Sequence, residues 1–177
     1  MDFISWDYLP PETRMLLTSD GSTTTLLEAL VGEELFIRVS SQEQRLALDF
    51  PAETAVFPGL SEGSVLLARS SQLRTRRGDL VSDNLVLAPI GGTALGGLMD
   101  DRQAPLGRGM VRLGMSQSRR LISVGLDRWQ GESGSGHICA RKTYTMMENG
   151  RPVMYIAERF NPVYAPVRTE DRARAAR

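Results

Sequence analysis

Two charged residues stand where a β-strand pattern would turn them inward. The stretch GRPVMYIAERFNPVY, 150–164, reads as a turn followed by a strand. Alternate side chains of a strand share a face, so Glu158 falls with Met154, Ile156 and Phe160, and Arg159 with Tyr155. An ion on the apolar side is costly unless paired or hydrogen-bonded. Arg69 repeats the pattern, sharing its face with Val65, Leu67, Ser71 and Leu73. The plainer reading of Arg69 is a strand-end arginine that snorkels to water. The sharper one joins it with Glu158, either as a structural pair or as two walls of a pocket. In a pocket, Arg69 would hold an anion and Glu158 would move a proton.

Other chemistry is poorly supplied. The chain has one cysteine (Cys139) and one histidine (His137), which leaves no disulfide and no ready zinc site, Cys–His dyad or Ser-His-Asp triad. Cys139 reads as a core residue and His137 as surface. GGTALGG, 91–97, lacks the Lys-Ser/Thr of a phosphate loop and reads as a linker. Arg74, Arg76 and Arg77 with Arg119 and Arg120 read as a solvated hairpin tip, because no interleaved aromatics offer base stacking.

The elements that must position these residues follow from pattern. Pro10-Pro11 opens a short helix over 10–17, and Ser22 caps a second helix carrying Leu26, Leu27 and Leu30. Strands are expected over 35–41, 64–76, 80–90, 118–129, 138–147 and the Glu158 segment, with 42–62 mostly loop. Turns fall at Arg77-Gly78-Asp79 and Glu148-Asn149-Gly150, and QGESGSGH, 130–137, is a hairpin loop. The reading is one α+β domain over 1–166: a single antiparallel sheet of about six strands, helices on one side. A charged tail, 167–177, is expected to be disordered.

At 177 residues, the chain can bury a real core. Its 21 basic and 21 acidic residues balance, so overall charge favours neither nucleic acid nor an acidic membrane. All but one of the basic residues are arginine; the exception is Lys142. No apolar run approaches the ~20 residues of a membrane span, and no signal peptide opens the chain. A reducing cytoplasm is the expected compartment.

Four motifs occur in an order that resembles the chorismate–pyruvate lyase (4-hydroxybenzoate synthase) family, in its broader bacterial and archaeal branch. They are SDGSTTTLLEAL at 19–30, Arg69 on a following strand, APLGR at 104–108 and NGRPVMYIAERF at 149–160. The similarity extends over about residues 10–164. The resemblance implies a chorismate lyase-like fold and a cofactor-independent carbon–oxygen lyase that eliminates pyruvate from chorismate in a closed pocket, with no metal. By position, Arg69 matches the arginine that holds the ring carboxylate, and Glu158 the glutamate near the 4-hydroxyl. Thr23 and Leu106 match residues that offer backbone N–H groups, with Gly107 leaving room for that approach. A partly desolvated carboxyl at Glu158 would suit proton exchange near neutral pH.

The chain departs from the family at Arg69-Ser70-Ser71-Gln72, where branched apolar residues are usual; inward Ser71 makes the substrate wall more polar. Two other readings follow. One is a natural-product lyase or cyclase on this scaffold acting on a different acid. The other is a non-catalytic small-molecule sensor, ranked last because no helix-turn-helix segment precedes the domain in this sequence. The expected partner in each is a small molecule, chorismate or a related carboxylate, bound by a monomer or small homo-oligomer.

Overall fold

The computed structural model describes residues 6, 9–90, 118–129 and 136–168. Leu106 and Gly107, the GGTALGG segment, most of the 130–137 loop and the tail beyond residue 168 lie outside them. Two helices come first, α1 (Pro11–Thr18) and α2 (Thr23–Val31). Then follow β1 (Phe36–Leu46), a 3-10 turn (Ala47–Asp49), α3 (Pro51–Thr54), β2 (Val65–Arg74) and β3 (Leu80–Pro89). The last three strands are β4 (Ser118–Arg128), β5 (Ile138–Glu148) and β6 (Arg151–Phe160).

The six strands form one antiparallel sheet in the order β1-β2-β3-β6-β5-β4. Local chemistry explains the hairpins. Asn149 and Gly150 take φ of 49° and 76°, the two left-handed residues of a tight turn whose twist matches that of the strands. Their turn joins β5 to β6, which inserts between β3 and β5. Insertion makes β6 a central strand, buried over most of its length. A charge on its inward side is therefore sealed from water on both flanks.

Pro11 starts α1, where its missing N–H costs nothing. The Ser22 side chain accepts from the Thr25 amide at 3.3 Å and caps α2; Gly32, at φ 80°, ends that helix. Leu16, Leu17 and Leu27 from the helices bury against Leu73, Ala140 and Phe160 of the sheet. Truncating one such buried leucine to alanine costs about 2–5 kcal/mol. A second cluster on the same sheet face holds Val86, Tyr144, Met146, Met154 and Ile156. On the opposite face, Phe57 from the segment after α3 covers Ala68, Leu87, Tyr155 and Ala157.

β1 runs on to Leu46, beyond the strand expected over 35–41, and the 42–62 region is not mostly loop. The cause is that β1 is an edge strand, exposed through most of its second half. Its polar run Ser41–Arg45 has no buried side to mark in an apolar alternation. Among the described residues, no helix is long and apolar enough to cross a membrane.

Candidate functional site

Strand register places one polar row across the helix-covered face. Ser71 pairs with Asn84, Asn84 with Glu158, and Glu158 with Lys142. Paired residues share a face, so these four side chains line up over β2, β3, β6 and β5. The row on one side is Leu73, Ser82, Phe160 and part of the first apolar cluster. The row on the other is Arg69, Val86, Ile156 and Tyr144. All four members of the polar row are buried: Ser71, Asn84, Lys142 and Glu158 expose at most 9 %.

A cavity of about 70 Å³ opens beside this row, under the start of α2. Ser22, Thr23 and Thr24 roof it, Ser71, Asn84 and Glu158 line its floor, and Arg119 and Tyr144 close one side. Three buried polar atoms here have no hydrogen-bond partner among the described residues: Glu158 Oε2, Asn84 Oδ1 and Arg119 Nε. Buried polar atoms are almost always satisfied, and each orphan costs about 1–3 kcal/mol. Several around one cavity mark a place where something else completes the bonds. The unpaired first N–H groups of α2 add a positive end to the same space.

Burial raises the Glu158 pKa above its ordinary value. The Lys142 charge, the Thr23 and Tyr144 hydroxyls and the Arg119 charge oppose that rise. The Tyr144 hydroxyl is pushed up, first by burial and then by the Glu158 charge, and stays a neutral donor. Burial lowers the Lys142 pKa, against the attraction of Glu158. The Lys142 ammonium sits 5.3 Å from the Tyr144 ring centre and donates to the main-chain oxygens of Leu16 (3.3 Å) and Ser19.

The structure brings Glu158 and Ser71 to this cavity from inward strand positions, and Thr23 from the first turn of α2. Arg69 is fully buried rather than snorkelling to water, yet it is not among the residues that line the cavity. It lies two strands from Glu158, about 10 Å across the sheet, and one row along, ~7 Å. Two cavity-lining residues, Asn84 and Arg119, and the neighbouring Lys142 escaped the sequence reading. Asn84 and Lys142 carry the same inward alternation that singled out Glu158. Arg119, read as part of a hairpin tip, faces the cavity instead, while Arg76, Arg77 and Arg120 are exposed as that reading implied. His137 is exposed and Cys139 buried, its thiol pushed up to about 11 by burial. Among the described residues, no group of three His, Cys, Asp or Glu could hold a metal ion.

No protein-family model matches the chain. No curated protein matches it. Solved structures do. PhnF from Mycobacterium smegmatis superposes with a TM-score of 0.67 at 13 % identity, covering 84 % of this chain and 67 % of that one. The effector domain of PhnF solved on its own shares the fold as well, with a TM-score of 0.59. The ligand-binding domain of a GntR-family transcriptional regulator from Bordetella bronchiseptica gives 0.55 at 18 % identity, covering 77 % and 90 %. The C-terminal domain of the histidine utilization repressor from Pseudomonas syringae gives 0.53 at 8 % identity, covering 74 % and 94 %. At these identities the likeness concerns the fold: an α+β domain with one antiparallel sheet, in the fold class of chorismate lyase.

The lyase reading itself is corrected. Solved structures that share this fold include domains of a transcriptional regulator and a repressor, and nothing in the comparisons supports chorismate turnover, a carbon–oxygen lyase or 4-hydroxybenzoate as product. The geometry supplies a physical reason. Glu158 has a resident lysine across the strand pair, so its burial needs no proton-transfer role to account for it.

Proposed function

We propose that this domain is a non-catalytic sensor that binds a small anionic molecule in the cavity between α2 and the sheet. The observation that carries this is the set of buried, unpartnered polar atoms converging on one space: Glu158 Oε2, Asn84 Oδ1 and Arg119 Nε. A catalytic pocket is not required to explain them; a bound ligand is enough. Regulator effector and ligand-binding domains of the same fold support the reading.

The donors define the anionic end of the ligand. Arg119 offers a guanidinium N–H, and the first turn of α2 offers backbone N–H groups and a favourable dipole. A carboxylate or phosphate head group meets both. The acceptor Glu158 Oε2 asks for a hydroxyl or amine on the same molecule. The 70 Å³ cavity has room for several waters by volume. A head group displaces them while the rest of the ligand extends from the opening. Ser71 adds a hydroxyl to the wall, and Thr23 contributes both its hydroxyl and its amide. If the domain serves a transcriptional regulator, a separate domain contacts nucleic acid.

A thermal-shift screen of small carboxylates, inorganic phosphate and sugar phosphates tests this. At 100 times its Kd, a ligand stabilises the folded state by about 2.7 kcal/mol. The expected result is a saturable rise in Tm, lost in Arg119→Met, with the compound recovered chemically unchanged. Absence of any rise across the screen overturns the proposal.

A further inference from the structure

Lys142 is the only lysine of the chain, it is 2 % exposed, and ligand binding as proposed does not require it. Its ammonium donates to the carbonyls of Leu16 and Ser19, in the last turn and at the C-cap of α1. A cation there also meets the negative end of that helix. Arg119 does the same from the neighbouring strand: Nη1 donates to the Asp20 carbonyl at 3.2 Å. The connector between the helices, residues 19–22, is thus hung from the sheet by two cations, each gripping a main-chain oxygen. The Ser19 hydroxyl bonds the Gly21 amide at 3.0 Å and tightens the turn. The connector ends at Ser22, the cap of α2 and part of the cavity roof.

We infer that Lys142 is a positioning residue that, with Arg119, couples anion binding in the cavity to the end of α1. The inference rests on the proposed anion site and deepens it. Both cations act on Glu158 as well as on the connector. An anion seated beside Glu158 and the start of α2 competes with the Ser19 and Asp20 carbonyls for the same two positive charges. Occupancy then weakens the hold on the connector and loosens the last turn of α1, while the start of α2 is held by the anion. Two ends of adjacent helices respond in opposite directions to one binding event. The connector has no other described side-chain bond to the sheet, so the exchange of partners concentrates there.

Hydrogen exchange and lysine NMR on the intact chain test this, with inorganic phosphate and acetate as separate probes. Because Lys142 is the sole lysine, ¹⁵N-lysine labelling gives one side-chain ammonium signal. The expected result is a shift of that signal on saturation with the anion that raises Tm, and exchange at residues 17–21 faster by about threefold or more. Lys142→Arg should retain the response. Lys142→Met should still show the anion-dependent rise in Tm but no change at 17–21, which a purely structural lysine would not produce. If an anion raises Tm in the wild type while the lysine signal and the 17–21 exchange stay fixed, the coupling is wrong and the binding site stands. If neither anion raises Tm, both fall. The wild-type measurements decide the matter even if Lys142→Met does not fold.

Discussion

Glu158 and Arg159 are neighbours on β6 and face opposite sides of the sheet, and their surroundings differ in kind. Arg159 is satisfied by its own protein: its Nε donates to Asp127 at 2.7 Å, and Asp83 lies 3.9 Å away. All three side chains are partly open to water. Glu158 is 6 % exposed, and one of its carboxylate oxygens has no partner among the described residues. Of these two neighbours, the outward charge is completed within the protein and the inward one is not. That contrast supports the proposed binding site. Strand alternation alone, one residue to the next, separates the two roles.

The largest expected effect breaks the inner side. Lys142→Met or Glu158→Leu removes the nearby charge that opposes the desolvation of the other group and should cost about 1–3 kcal/mol in urea denaturation. The double variant should recover most of that loss, because an apolar pair of similar volume removes both desolvation penalties. A double variant as unstable as either single one would show that the two charges are not compensating each other. On the outer side, removing a charge should not approach this size.

Acid titration sharpens the contrast next, because the two carboxylates shift in opposite directions. Burial holds the Glu158 pKa above 4.5, so the folded state keeps a proton that the unfolded chain has released. Stability from this group falls as pH rises from 4.5 through the raised value. Asp127 behaves oppositely. Burial pushes it up, but the Arg159 bond, the Arg128 amide and the nearby arginine charges outweigh that and hold it below 3.8. Its contribution is present above 3.8 and is lost as pH falls through the lowered value. Denaturation midpoints of Glu158→Gln and Asp127→Asn across this range should lose these slopes separately.

Smaller effects test whether the inner polarity serves binding. Asn84 Oδ1 is unpartnered, so Asn84→Leu should raise stability by up to about 1 kcal/mol while weakening anion binding. A variant that binds as tightly as the wild type would remove Asn84 from the site. Asp127→Asn, which loses partly exposed ion pairs, should cost about 0.2–1 kcal/mol and leave binding unchanged.

Much of this layout is legible in the sequence wherever one side of an element is dry. The Ser22 cap, the Asn149-Gly150 turn and the inward position of Glu158 follow from local chemistry or a two-residue period. Lys142 follows the same period, with Ala140 and Tyr144 on its side, and was legible by the test that found Glu158. The insertion of β6 between β3 and β5 was not, because it depends on pairing between distant segments. The convergence of Asn84, Glu158 and Arg119 depends on that insertion. Without it, Arg119 reads as one more arginine near a turn. The length of β1 was hidden for a different reason: an exposed edge strand has no dry side to impose a pattern. Function was the part most open to error, since an inward Arg and Glu suit an enzyme and a ligand sensor equally well.

The central claim is that the cavity binds an anion through Arg119 and Glu158 and leaves it unchanged. A calorimetric titration of the strongest-binding anion from the screen into wild type, Arg119→Met and Glu158→Gln tests it most directly, with the ligand recovered afterwards by mass spectrometry. The account predicts one site per chain, intact ligand, and affinity reduced roughly 10- to 100-fold in Arg119→Met, as expected for a lost charge-assisted hydrogen bond. Equal affinity in all three proteins, or conversion of the ligand to a product, would contradict it.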